Sequence, residues 1–122
     1  MPAQKILVVD DSPTERFFIA DLLKKKGYQV ITAEDGQEAL RIVKAERPSL
    51  VVLDVVMPGQ NGFQVTRALS RDPETQGIPI ILCTSKSAET DRIWGLRQGA
   101  REYLIKPVKP EELLARVADL AH

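Results

Sequence analysis

Four polar groups stand directly behind apolar runs in this sequence: Asp10 and Asp11 after residues 6–9, Asp54 after 50–53, Thr84 and Ser85 after 80–83, and Lys106 after 103–105. Carboxylates brought together repel and raise each other's pKa, so a set made of Asp10, Asp11 and Asp54 requires a cation among them. A hard divalent ion suits it, because Mg²⁺ takes a few carboxylate oxygens, keeps several waters and leaves room for a phosphate. Lys106 adds a point charge for phosphoryl oxygens, and Thr84 adds a hydroxyl donor. A nucleophilic carboxylate, metal-holding carboxylates, an ammonium and a hydroxyl together describe phosphoryl transfer to a carboxylate.

These groups lie far apart in the chain and meet only if the elements carrying them align. Five apolar runs, at 6–9, 29–33, 50–53, 80–83 and 103–105, alternate with five amphipathic stretches. That βαβαβαβαβα order predicts an α/β fold with a parallel sheet, helices on both faces, and ligands gathered beyond the carboxyl ends of the strands. The second run, with Gln29 and Thr32, is the most polar and reads as an edge.

Helix signals keep the same register. Ser12 with Pro13 and Glu15 spells a capping box, followed by a face of Phe18, Ile19, Leu22 and Leu23 that ends at Gly27. Asp35 with Glu38 opens a second helix carrying Ala39, Leu40 and Val43. Asn61 with Gln64 opens a third, with Phe63, Thr66 and Leu69 inward. The fourth is expected at about 88–98, stopped by Gly99, and the fifth starts at Pro110 with Leu113, Leu114, Val117 and Leu120 inward.

The 122 residues suit one domain, with no stretch left for an output domain. Seventeen basic residues cancel seventeen acidic ones, so no global field draws the protein to nucleic acid. No apolar run approaches the roughly 20 residues that span a bilayer, and residues 6–9 are too short for a secretory signal, so a cytoplasmic location without membrane insertion is expected. The only cysteine, Cys83, sits in an apolar run and reads as a buried strand residue. The only histidine is the terminal His122, which argues against serine triads and histidine zinc sites.

The segments Asp10-Asp11, Asp54-Val55-Val56-Met57-Pro58-Gly59-Gln60-Asn61-Gly62, Thr84-Ser85 and Lys106-Pro107 resemble the receiver domain of two-component response regulators across the whole chain, 1–122. The resemblance implies a doubly wound, flavodoxin-like (βα)5 fold with strand order 2-1-3-4-5, an order known from a chemotaxis receiver. It implies Asp54 as phosphoacceptor, Asp11 as a direct Mg²⁺ ligand, Asp10 as a ligand through water, and the Val56 carbonyl as the remaining protein ligand. It makes Thr84 and Tyr103 paired switch residues and Lys106-Pro107 a cis bond. The implied partners are a histidine kinase of a chemosensory system and a downstream protein bound through the fourth helix, fifth strand and fifth helix. Residues 11–15 and 94–100, with 103–108, are similar to single-domain receivers of type IV pilus chemosensory systems, which implies a role in twitching motility or chemotaxis.

Plainer readings stand beside these. Asp10 and Asp11 could be helix caps, Thr84 a strand-end hydroxyl bonded to backbone, and Tyr103 an ordinary half-buried aromatic. Trp94 is expected to pack against the fifth helix, the alternative being partial exposure on a docking face. Val56, two places after Asp54, offers no polar side chain to orient an attacking water, and Lys86, two places after Thr84, puts a cation at the mouth. Both predict slowed intrinsic dephosphorylation. Competing functions are a small aspartate-nucleophile phosphatase, weakened by Val56 standing where haloacid-dehalogenase-like enzymes need a second aspartate, and a receiver-like scaffold that works without phosphorylation. A nucleotide- or flavin-binding module lacks a glycine-rich cradle after the first run.

Overall fold

The computed structural model describes residues 4–121, so His122 lies outside the described residues. Five strands, β1 (Lys5–Val9), β2 (Gln29–Ala33), β3 (Leu50–Leu53), β4 (Ile80–Thr84) and β5 (Glu102–Ile105), form one parallel sheet in the order β2-β1-β3-β4-β5. Five helices connect or follow them: α1 (Pro13–Lys25), α2 (Gly36–Glu46), α3 (Gly62–Arg71), α4 (Glu89–Gln98) and α5 (Pro110–Leu120). The expected order and the β2 edge are borne out. Because chain direction across the sheet reverses between β1 and β3, a crevice opens beyond the carboxyl ends of those two strands.

Side chains that alternate along the strands divide the interior into two layers. Leu7, Val9, Val51, Leu53 and Leu82 face α2, α3 and α4, meeting Ala39, Val43, Val65 and Leu69. Ile6, Val8, Val52, Ile81 and Cys83 face α1 and α5, meeting Ile19, Leu23, Leu113 and Val117. Strands buried on both faces explain why 6–9, 50–53 and 80–83 read as unbroken apolar runs. Cys83 is buried, and burial foremost pushes its thiol up to about 12, in keeping with an inert strand residue.

Three local expectations change. Phe18 is 46% exposed rather than inward, because α1 docks through Ile19, Ala20 and Leu23 and leaves Phe17 and Phe18 to one side. Ser12 caps α1 by accepting from the Glu15 N–H (3.4 Å), but the reciprocal half of the capping box is absent: the Ser12 N–H donates to Asp10 Oδ1 (3.0 Å). Trp94 is 49% exposed rather than packed inward. The capping box at Asn61 and Gln64 is complete, each side chain accepting from the other's backbone N–H (3.0 and 2.8 Å). Among the described residues no helix is long and apolar enough to cross a membrane.

Candidate functional site

The strand ends bring the polar groups to one rim. The Asp54 N–H donates to the Val9 carbonyl (3.0 Å) and the Lys106 N–H to the Thr84 carbonyl (2.9 Å), which fixes each residue one step beyond its neighbour's strand. Asp10 is 1% exposed, Asp54 is buried, and Thr84 ends β4 fully enclosed. Lys106 follows β5 through a cis bond to Pro107, as the sequence resemblance implies.

Lys106 ties the rim together. Its Nζ donates to Asp10 Oδ2 (2.8 Å), Glu15 Oε2 (2.8 Å) and Asp54 Oδ2 (3.2 Å). Burial alone would lower the pKa of this ammonium, but the hydrogen bonds to Asp10 and Glu15 and the charge of Asp54 outweigh it, and the net shift is upward. Asp10 also shifts upward, which for a carboxylate disfavours the charged form. Its burial raises the pKa more than the Lys106 contact and the Ser12 N–H lower it, and the Asp54 charge adds to the rise.

Three carboxylates face a single ammonium here. Oxygens of Asp10, Glu15 and Asp54 lie within 4.8 Å of one another, a hard, oxygen-only donor set with an excess of negative charge, which fits a Mg²⁺ ion. Asp11 is exposed and stands outside that cluster among the described residues. Glu15 was not among the expected site residues. The signal was an acidic residue in the first turn of the helix that follows Asp10, but its spacing from Ser12 spelled a cap and hid it.

The remaining residues frame the crevice. The Val56 N–H donates to Asp54 Oδ1 (3.3 Å), while the Val56 side chain is mostly solvent-facing. Thr84 Oγ1 accepts from the Lys86 N–H (3.3 Å), and the Tyr103 hydroxyl donates to the Lys86 carbonyl (2.8 Å), so both expected switch residues hold the same loop residue. Burial, then the charges of Asp91 and Asp54, pushes the Tyr103 phenol up to about 12. Behind Asp54 the chain turns back so tightly that a Cβ at Gly62 would stand 2.2 Å from the Asp54 carbonyl oxygen and 2.7 Å from the Val55 Cα, so only glycine fits.

Comparison with known proteins agrees with this geometry. Residues 6–118 match the family described as response regulator receiver domain. The protein PilH of Pseudomonas aeruginosa is 51% identical over 113 residues, which is 93% of either chain. Among solved structures, the chemotaxis protein CheY4 of Vibrio cholerae superposes with a TM-score of 0.90 at 33% identity, covering 97% of this chain and 98% of that one. The receiver domain of the sensor histidine kinase PA1611 from Pseudomonas aeruginosa PAO1, solved with magnesium coordinated in its active-site cleft, has a TM-score of 0.90 at 30% identity and 98% coverage of both chains.

Proposed function

The chain belongs to the response regulator receiver family, and on that premise we propose that it is a phosphorylation switch in which Asp54 accepts a phosphoryl group from a histidine kinase. One observation carries the reading. Lys106, from the far end of the chain, reaches both Asp10 and Asp54 and so supplies an ammonium beside the carboxylate oxygen to which a phosphoryl group would be joined, within reach of that group's charge.

An Asp54 carboxylate oxygen attacks phosphorus, the phosphorus–nitrogen bond of the donor phosphohistidine breaks, and the imidazole nitrogen leaves with the electron pair. The Val56 N–H steadies the other carboxylate oxygen, and Lys106 and the Thr84 hydroxyl meet the phosphoryl oxygens. Of the clustered carboxylates, Asp54 and, through water, Asp10 would hold Mg²⁺, with Asp11 and the Val56 carbonyl added by the family resemblance and Glu15 left to Lys106. When bound, that ion would supply positive charge that offsets the repulsion between carboxylates and phosphate.

Thr84 then gives up the Lys86 N–H to bond the phosphoryl group, and the loop that Tyr103 holds through the Lys86 carbonyl shifts with it. The face that changes is α4, β5 and α5, where Ile93, Trp94 and Ile105 are exposed and suited to a protein partner. Identity of 51% to PilH and the runs 11–15 and 94–100 support a chemosensory kinase as donor and control of type IV pilus motility as output.

Phosphatase turnover has less support, since Val56 occupies the position of the second acid. The test is incubation with phosphoramidate and Mg²⁺ followed by intact mass. One phosphoryl group should add to the parent, none to Asp54→Asn, and none when the metal is chelated. Addition to Asp54→Asn, or no addition to the parent, would overturn the assignment. On the phosphorylated protein, Val56→Asn should speed phosphoryl loss.

A further inference from the structure

The shared ammonium of Lys106 has two kinds of carboxylate partner. Asp10 is buried, and its side chain is only 2% exposed, whereas the Glu15 side chain is 47% exposed at the start of α1. Both sit 2.8 Å from Nζ, closer than the 3.2 Å to the acceptor, Asp54. Lys106 is therefore drawn toward α1 in this structure, held there by one partner that water cannot replace and one that it can.

We propose that Glu15 is a positioning residue that competes with the phosphoryl group for Lys106. The inference rests on the reading of Asp54 as phosphoacceptor. An ammonium has three hydrogens to donate, and Asp10, Glu15 and Asp54 take all three. The bond to Asp54 Oδ2 is lost first, since that oxygen becomes the bridging oxygen of the phosphoryl group, and Lys106 reaches the phosphoryl oxygens beyond it only by moving away from α1, which loosens its bond to Asp10 or to Glu15. Releasing Asp10 would leave a buried carboxylate without its cation, a costly change, while Glu15 can turn into solvent and be hydrated. Glu15 is the partner that exchanges.

The arrangement sets a threshold. In the resting protein Glu15 keeps the ammonium occupied and adds a negative charge beside the path of an anionic donor, so both effects slow phosphorylation. Glu15 touches no reacting atom, and its effect passes through Lys106.

The experiment measures the rate of phosphoryl addition from phosphoramidate at fixed Mg²⁺ by intact mass, in the parent, Glu15→Gln and Glu15→Asp. Removing a competing exposed ion pair should raise the rate roughly 1.5-fold to fivefold in Glu15→Gln. Glu15→Asp keeps the charge but withdraws it by one methylene, so a contact role makes it faster than the parent as well. Sodium chloride supplies a readout that a purely structural role would not move. Raising it should speed the parent by screening the Glu15–Lys106 pair and leave Glu15→Gln nearly unchanged, so that the two rates converge. Equal rates in parent and Glu15→Gln, a slower Glu15→Gln, or a constant ratio across salt would each overturn the proposal. If the parent itself gains no phosphoryl group, it is the acceptor assignment that fails.

Discussion

Helices α3 and α4 are each ten residues long and pack side by side on the same face of the sheet, but they are fastened differently. α3 begins with a complete capping box and buries Gly62, Val65, Thr66 and Leu69. Thr66 returns its hydroxyl to the Gly62 carbonyl (2.8 Å), so even its buried polar group is satisfied. α4 begins at Ala88 with no side-chain cap, and Gly95 is its only buried residue. Ile93 and Trp94 face solvent. Elements with few buried contacts and uncapped ends open first, so α4 belongs to the low-stability part of the molecule and α3 to the rigid part. The contrast places stiffness behind Asp54, the proposed acceptor, and looseness under the surface proposed to bind a partner.

The sharpest way to break the comparison is to attack α3. Leu69→Ala should cost about 2–5 kcal/mol, seen as a large drop in denaturation midpoint, because a fully covered side chain leaves a cavity. Next in size is repair of α4: Ala88→Ser supplies the missing cap and should add about 0.5–2 kcal/mol, with amide exchange in the first turn of α4 slowed toward that of α3. If α4 amides are already as protected as those of α3 in the parent, the contrast is wrong.

Tyr103→Phe removes the hydroxyl that holds Lys86 and should cost about 0.5–1.5 kcal/mol, with faster exchange in the β4–α4 loop. The same hydroxyl gives a pH test. Its folded pKa of about 12 lies above the ordinary 10, so its contribution to stability is complete below pH 10 and is lost as pH rises through about 12. A spectrophotometric titration of native protein should show one tyrosine ionising near 12, and Tyr103→Phe should abolish that step. The smallest effect is expected from Trp94→Ala, no more than about 1 kcal/mol, since half the ring already meets water. Its consequence should appear in partner capture by the phosphorylated protein rather than in melting.

The fold was legible because each central strand is apolar on both sides and each helix is punctuated by serine, aspartate, asparagine, glycine or proline. Asp10, Asp54, Thr84 and Lys106 were legible because they follow strands, and a parallel sheet gathers strand ends on one rim. Glu15 was hidden because one spacing, Ser12 to Glu15, spells a cap whether or not the carboxylate turns back. Which of Asp10 and Asp11 is enclosed was hidden too: neighbouring residues leave a strand in opposite directions, and their burial, Asp10 covered and Asp11 exposed, is settled by packing. In α4, Ile93 and Leu96 stand three apart, but Glu89 and Thr90 one turn before them and Gly99 one turn after leave that stripe a single turn long, so sequence offered no sustained face to bury.

The bare hydrogen at Gly62 carries a mechanical consequence. With the first residue of α3 pressed against the carbonyl that follows the acceptor side chain, the backbone at that point has nowhere to recoil. A charge delivered to Asp54 by the proposed phosphorylation would thus be placed on an anvil, and its push would be left to travel sideways, toward Thr84 and the looser helix.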